Sequence, residues 1–319
     1  MKAYERAVAE TRAALSAEPD LAEVVRYATL AATSHNTQPW RFRIFEGGVE
    51  ILPDFERRMP IVDPDDHHLF ISLGCAAENF ELAAEARGRP AAMTFYDAAK
   101  TIAIDLAQGR AFESDLFRAI PERQCSRSVD DGRSVPVCAL KQLEKAAGLA
   151  GVEVLLITAR PRIEQLLDFV IAGNSRQIDN PEFVAELKRW IRFNPNAALV
   201  TGDGLFSLCM GNPIVPSFLG NLIFRLVLSK RAENRKYAEQ LRSSAGVALF
   251  VGDKSDKASW VKVGRSSQRF ALQATALGIR HAYINQPVEV AEIRPDFAQW
   301  LGLGDRRPDL VIRFGYGKA

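Results

Sequence analysis

LGCAAENFELAAEARG, residues 73–88, and VGRSSQRFALQATALG, residues 263–278, align without a gap at a constant offset of 190. Gly74/Gly264, Phe80/Phe270, Leu82/Leu272, Ala84/Ala274, Ala86/Ala276 and Gly88/Gly278 are identical pairs. Each stretch reads as a helix that ends at a glycine, the residue that most readily takes the left-handed turn closing a helix. The many small side chains suit helices packed close together. Self-similarity at a fixed spacing marks internal repetition. Its rival is chance, because alanine-rich helices resemble one another.

The flanks extend the match. YATLAAT (27–33) resembles QLEKAAG (142–148) at an offset of 115. If the halves are related, the growing offset leaves about 75 extra residues in the second half, between roughly 150 and 260. NPNAALVTGDGLFSLCMGNPIVPSFLGNLIF (194–224) lies there, apolar and rich in Gly, Pro and Asn. Such an insertion reads as a lid over a site, or as extra core. The expected division is a first half over 1–109 and a second over 110–319, the latter carrying a lid insertion at about 160–240.

Composition sets wide bounds. The chain has 319 residues, 47% hydrophobic and 25% charged, with a formal net charge of +2. That is ordinary for a globular protein, and it makes no case for nucleic acid or an acidic membrane as partner. No run of about 18 apolar residues is present to cross a membrane. The start, MKAYERAVAETRAALSAEPD, is charged and amphipathic and has no secretory core. Cys75, Cys125, Cys138 and Cys209 have no metal-like spacing. A reduced, cytoplasmic protein is expected.

Periodicity predicts helices over 2–17, 20–32, 66–88, 111–120, 137–149, 160–173, 180–192, 216–229, 233–241, 257–278 and 290–301. It predicts strands over 40–46, 48–53, 92–97, 101–106, 152–158, 246–252, 281–286 and 309–315. VALFVG and LVIRFGYG read as central strands, and FEGGVEI as a hairpin turn. The order is irregular, which predicts α+β with helices packed on mixed β-sheets. Neither G-x-G-x-x-G after a strand nor a P-loop occurs.

Two loops could carry chemistry. TSHNTQPWRF (33–42) offers hydroxyl, imidazole and amide groups from Thr33, Ser34, His35, Asn36 and Gln38. Pro39 stiffens it and Trp40 anchors it. It reads either as a rigid polar ledge for a ligand or as a connection whose side chains satisfy backbone groups. PERQCSRSVDDGRSVP (121–136) spaces Arg123 and Arg127 four apart, with Gln124, Cys125 and Ser126 between. Such a pair can clamp a phosphate or hold charge on an electron-accepting ring; otherwise it is a solvated loop. DPDDHHLF gathers Asp63, Asp65, Asp66, His67 and His68, but neighbouring histidines at a helix start are expected to point apart, and no metal site is predicted. His281 reads as a satisfied structural histidine. Cys138 has no partner that would make it a nucleophile, and Ser34–His35 is not a nucleophile–base pair.

TSHNTQPWRF resembles the N-x-Q-P-W loop of the FMN-dependent nitroreductase family. RQCSRSV…VP resembles its R-x-S-x-R segment. WVKVGRSSQRFALQATALGI resembles its W-x-x-x-G-x-x-x-Q helix, and PDLVIRFGYG its closing strand. The likeness covers most of the chain and is nearest to the single-chain, two-repeat Acg-like branch, in which one polypeptide imitates the usual homodimer. It implies a nitroreductase-like fold, an internal pseudo-dimer of two homologous halves, and one FMN between them. Only the second half has the Arg segment and only the first has the loop, so the half-sites are complementary.

Carried over by position, Arg123, Gln124, Cys125 and Arg127 would contact FMN from one side, and Ala32, Thr33, Ser34 and Asn36 from the other. Tyr283, Ile284, Asn285 and Gln286 match the strand end nearest the flavin N5 edge. Cys125 stands where many relatives have Ser. The family's basic phosphate-holding residues follow the closing strand, where this chain ends with Gly317, Lys318 and Ala319. The resemblance implies ping-pong hydride transfer from NADH or NADPH, through FMN, to a nitroaromatic or quinone-like small-molecule acceptor. Arg127 would be the catalytic charge, and the protein a monomer or homodimer. Its alternatives are an FMN-sequestering protein whose lid blocks turnover, and a flavin-free scaffold.

Overall fold

The chain runs twice through one order of elements. After α1 (Lys2–Thr11), the first pass is α2 (Leu21–Ala28), β1 (Trp40–Phe45), β2 (Gly48–Pro53), α3 (His67–Glu85), β3 (Ala91–Tyr96) and β4 (Thr101–Leu106). A short α4 (Asp115–Ala119) leads to the second pass, which opens with α5 (Val137–Ala147) and β5 (Val152–Ile157). An excursion follows: α6 (Arg160–Asp179), α7 (Pro181–Arg189), β6 (Ile191–Arg192), α8 (Pro195–Thr201), β7 (Leu205–Phe206), α9 (Ser217–Val227) and α10 (Lys230–Ser243). The pass resumes with β8 (Gly246–Gly252), α11 (Lys257–Ala276), β9 (Arg280–Tyr283), α12 (Gln286–Glu289), α13 (Arg294–Leu301) and β10 (Leu310–Gly315). This computed structural model describes residues 1–317, apart from the side chains of 225–227. The expectation attached to Lys318 and Ala319 lies outside the described residues.

Each pass forms a four-stranded sheet, ordered β1-β2-β4-β3 in the first and β5-β8-β10-β9 in the second. Matching β1, β2, β3 and β4 to β5, β8, β9 and β10 makes the two orders the same. Every pairing within both sheets is antiparallel. The expected mixed sheets are therefore corrected: among the described strands only the two-residue β6 and β7 pair in parallel, apart from an isolated parallel bridge between Cys125 and His281 of β9. Partner direction depends on how helices return the chain, which strand periodicity does not encode. β1 and β2 join through Glu46 and Gly47, whose φ of 88° suits glycine. In the second pass the excursion over 158–245 takes the place of that turn.

The repeated stretches are α3 and α11, and they cross at equivalent positions. A Cβ on Gly74 would collide with the Val261 carbonyl oxygen and lie 3.1 Å from the Gly264 Cα. A Cβ on Gly264 would collide with the Ile71 carbonyl oxygen and lie 3.0 Å from the Gly74 Cα. Ile71 and Val261 share the offset of 190, so the contact is reciprocal. Both helices also stop alike. Arg89 N–H donates to the Ala84 carbonyl at 3.0 Å, and Ile279 N–H to the Ala274 carbonyl at 2.8 Å. Between them Gly88 and Gly278 take φ of 70° and 68°, the left-handed residue of a Schellman stop. Phe80 and Phe270 are fully buried, and Phe270 packs edge-on to Phe250 and Phe314 of the second sheet.

The helices predicted over 20–32, 111–120 and 290–301 shorten to Leu21–Ala28, Asp115–Ala119 and Arg294–Leu301, and two further predicted elements run long for tertiary reasons. The helix over 2–17 ends at Thr11, because Leu15 turns into the core with its N–H on Tyr27 Oη at 3.0 Å. The strand over 281–286 ends at Tyr283, where Asn285 Oδ1 accepts the Val311 N–H at 3.0 Å and α12 begins at Gln286 with Pro287 in its first turn. No helix among the described residues is long and apolar enough to cross a membrane.

Adding a methyl at either crossing glycine must separate two backbones. Gly74→Ala and Gly264→Ala are each expected to cost about 2–3 kcal/mol in urea unfolding. The double variant should cost less than the sum, since one displacement relieves both clashes.

Candidate active site

Three segments converge on one cavity of about 370 Å³, a volume within the range of small-molecule sites. They are the loop between α2 and β1, the Arg-bearing segment before α5, and the end of β9. Ala32, Thr33, Ser34 and Asn36 line it from the first, Arg123, Cys125 and Arg127 from the second, and Asn285 and Gln286 from the third. Gln124 and Ile284 do not line it. Gln124 is exposed, because side chains alternate along an extended segment and Arg123, Cys125 and Arg127 take the inner face. Ile284 is buried in the core, with its N–H on the Val311 carbonyl at 2.9 Å.

The loop is tied to the helix crossing. Ala32 N–H donates to Gln268 Oε1 at 3.4 Å, Gln268 Nε2 to Asn79 Oδ1 at 2.8 Å, and Asn79 Nδ2 to the Tyr27 carbonyl at 3.1 Å. Trp40 is buried beneath. His35, Asn36 and Gln38 all have left-handed backbones, with φ of 48°, 53° and 51°, a strained choice for side-chain-bearing residues. The excursion holds them there. Asn36 and Gly204 exchange two hydrogen bonds, Gly204 N–H to the Asn36 carbonyl at 3.0 Å and Asn36 Nδ2 to the Gly204 carbonyl at 3.1 Å. Gln38 Nε2 donates to the Gly202 carbonyl at 2.6 Å, and Asp203 pairs with Arg57 and Arg192. The loop's amides thus satisfy backbone groups of the excursion while its first residues face the cavity.

The Arg-bearing segment is fixed from below. Arg313, 1% exposed in β10, donates to the carbonyls of Ser126 and Ser128 at 2.7 and 2.8 Å and to Asp130 Oδ2 at 2.8 Å. Burial pushes the Asp130 carboxyl up and the Arg313 guanidinium down, each partly offset by the other. The pair therefore orders the segment at a desolvation cost. Ser126 N–H donates to the His281 carbonyl at 2.9 Å.

What faces the cavity is short of partners. Arg123 is nearly buried; its contacts are the Leu30 carbonyl at 3.0 Å and the Cys125 sulfur at 3.8 Å, neither a carboxylate. Arg123 Nε, His35 Nδ1, His68 Nε2, Tyr283 Oη and Gln286 Oε1, all of cavity-lining residues, are buried and have no hydrogen-bond partner among the described residues. Unpaired buried polar groups are costly, so five around one space mark a site built for a polar ligand. Burial, then the nearby Arg127, holds His35 down to about 4; burial, then Arg307, holds His68 down to about 3. Both imidazoles are neutral at physiological pH. The guanidinium groups carry the positive field and favour an anionic or electron-accepting ligand.

Sequence reading missed several lining residues. Cys75 and His68 reach the cavity from α3; Asn174 and Gln177 reach it from α6, Tyr237 from α10 and Glu289 from α12. None has a local signal, since their approach is tertiary. His67 and His68 do not point apart as expected: their ring centroids lie 4.6 Å apart, and with Asp63 they place ligand-type atoms within 4.8 Å. Asp63 caps α3, accepting the N–H groups of His68 and Leu69 at 3.0 Å, and His67 Nε2 meets Asp309 Oδ1 at 2.8 Å. His281 is buried but not satisfied, for both ring nitrogens lack partners. Cys138 is exposed, and burial pushes the Cys75 thiol up to about 12.

No protein-family model matches the chain. Two curated Mycobacterium tuberculosis proteins, from strains CDC 1551 and H37Rv, are each provisionally named an NAD(P)H nitroreductase. Each is 24% identical over 302 residues, 92% of this chain and 84% of the relative. Among solved structures, a nitroreductase with bound FMN from Desulfitobacterium hafniense is 13% identical, covering 65% of this chain and 92% of its own with a TM-score of 0.41. The FMN-dependent nitroreductase NfnB of Mycobacterium smegmatis, in complex with NADPH, is 14% identical, covering 64% and 88% with a TM-score of 0.41. An overlap this partial carries no residue role across.

His281 makes acid stability a test of the surroundings of Arg123. Burial, then Arg123, holds its imidazole down to about 3. The folded state therefore binds the proton later than the unfolded chain, and stability present above about pH 6.5 is lost as pH falls. His281→Phe has nothing to protonate. Between pH 6.5 and 5 it should lose about 1.5–2 kcal/mol less than the wild type in urea melts.

Proposed function

From its likeness to two curated proteins provisionally named NAD(P)H nitroreductases, we propose that the chain is a nitroreductase-type, FMN-dependent NAD(P)H oxidoreductase. In this reading NADH or NADPH and a nitroaromatic or quinone-like acceptor use one cavity in turn. The observation that carries it is the pair of guanidinium groups, without a carboxylate contact among the described residues, that share one cavity with orphaned polar atoms of His35, His68, Tyr283 and Gln286. Bound FMN would supply hydride acceptance and return; binding, orientation and the exclusion of water fall to the protein.

Arg123, Cys125 and Arg127 would hold the group on one side and Ala32, Thr33, Ser34 and Asn36 on the other, with Asn285 and Gln286 at the strand end. Arg127 is the proposed catalytic charge, fixed in advance where negative charge develops. We read the two passes as homologous halves, over 1–109 and 110–319, and the excursion as a lid. The equal strand orders and the reciprocal crossing of α3 and α11 support that division.

A second reading, FMN held with little turnover, is favoured by one feature. Asn36, Gln38 and Arg57 pin the 202–204 turn of the excursion to the site loop. Anaerobic titration with NAD(P)H separates the two. The protein is expected to be yellow and to bleach, and Arg127→Ala to keep its FMN but reduce about 10²-fold more slowly. Flavin that stays yellow supports holding without turnover. A chain that takes up no FMN overturns both readings.

A further inference from the structure

We infer that Glu289, held by Gln177 in the cavity wall, is the acid that protonates the acceptor as it is reduced. The inference rests on the proposed oxidoreductase reading and adds a residue to it.

Glu289 closes the four-residue helix α12, whose first residue, Gln286, also lines the cavity. Glu289 lines that space as well and is half-buried. α6 comes close because Gly173 has no side chain: a Cβ there would lie 2.8 Å from both the Cβ and the carbonyl oxygen of Gln286. One turn on, Gln177 Nε2 donates to Glu289 Oε2 at 2.7 Å. Among the described residues no arginine or lysine hydrogen-bonds this carboxyl.

Burial and the charged neighbours poise it between its protonated and ionised forms near neutrality. Burial raises it most; the Gln177 amide lowers it, Asp63 raises it, Arg294 lowers it and Glu186 raises it, for a result of about 7. Arg294 donates its Nε to the Val288 carbonyl at 2.8 Å. Asp63 and Glu186 stay fixed nearby by accepting backbone N–H groups, of His68 and Leu69 and of Ile61 and Val62 respectively. Burial, then Glu233, pushes the Tyr237 phenol on α10 up to about 12, with a smaller push from Glu289. His35 and His68 carry no proton to give at neutral pH, and the Cys75 thiol holds its own too tightly. A carboxylic acid poised near the working pH is the better donor.

The chemistry needs one. A quinone that takes a hydride and one proton becomes a hydroquinone. A nitro group that takes a hydride and one proton becomes a nitroso group and water. In each case the hydride originates from NAD(P)H, the Glu289 O–H bond breaks, and a new O–H bond forms on the acceptor. The carboxylate left behind keeps the Gln177 hydrogen bond and regains its proton from water.

Infrared titration of the protein without flavin reads the proton directly. The protonated-carboxyl band present in wild type and missing in Glu289→Gln should disappear with a midpoint near pH 7. Asp63→Asn should lower the midpoint and Gln177→Leu should raise it, since one removes a like charge and the other a donor to the ionised form. With FMN bound, reoxidation of the prereduced protein by benzoquinone should fall about tenfold per pH unit above that midpoint. In Glu289→Gln it should be about 10²-fold slower and flat with pH. Glu289→Gln with wild-type flavin content, rate and pH profile overturns the assignment, as does a Glu289 carboxyl already ionised at pH 5. A chain that binds no FMN overturns the oxidoreductase reading itself.

Discussion

Two glycines let α3 and α11 meet backbone to backbone, and the rest of the molecule is arranged about that contact. No other residue fits at Gly74 or Gly264 without forcing the helices apart. The close approach lets Glu78, fully buried on α3, reach Arg265 at 2.8 Å and Arg269 at 2.7 Å on α11. A buried carboxylate needs such partners. The same approach lets Gln268 reach Asn79, and through that pair the position of Ala32 at the cavity edge is set. The geometry of the site is therefore inherited from a contact between helices rather than created by the loop.

The cavity holds charge in an unbalanced way. Arg123 is buried with only neutral partners, and burial next to guanidinium groups keeps His35 and His281 neutral. A protein gains nothing by burying an uncompensated cation; the arrangement is stabilised once a ligand brings electron density to it. Arg313 works differently, because its charge is matched by Asp130 and spent on positioning Ser126 and Ser128. One closing-strand arginine thus shapes the segment from which two others reach inward.

Much of this was legible locally. Strands over 48–53, 101–106 and 246–252 keep their predicted bounds because their apolar runs end at residues that cannot continue them. Gly88 and Gly278 mark real helix stops. The inner-facing Arg123, Cys125 and Arg127 could be named from motif spacing, whereas Gln124, inside the same motif, faces water because an extended chain alternates its side chains. Pairing direction was not legible, since it depends on where α3 and α11 return the chain. Nor were Gln177 and Glu289, which meet only because α6 crosses α12 over Gly173. The short β6, α8 and β7 were missed because two-residue strands and a seven-residue helix carry almost no periodic signal.

The excursion leaves β5 after Ile157 and comes back at β8, where Ile157 faces Val247 across the ladder. Its two ends are therefore anchored side by side on strands already locked by neighbours. Between those ends, Ile163, Leu166, Leu167 and Val170 of α6 and Leu241 of α10 cover Val247, Leu249 and Val311 of the sheet, so the excursion's first and last helices belong to the scaffold and its middle does not. A change in the 181–229 stretch that reshapes the cavity wall would leave those covering helices where they are.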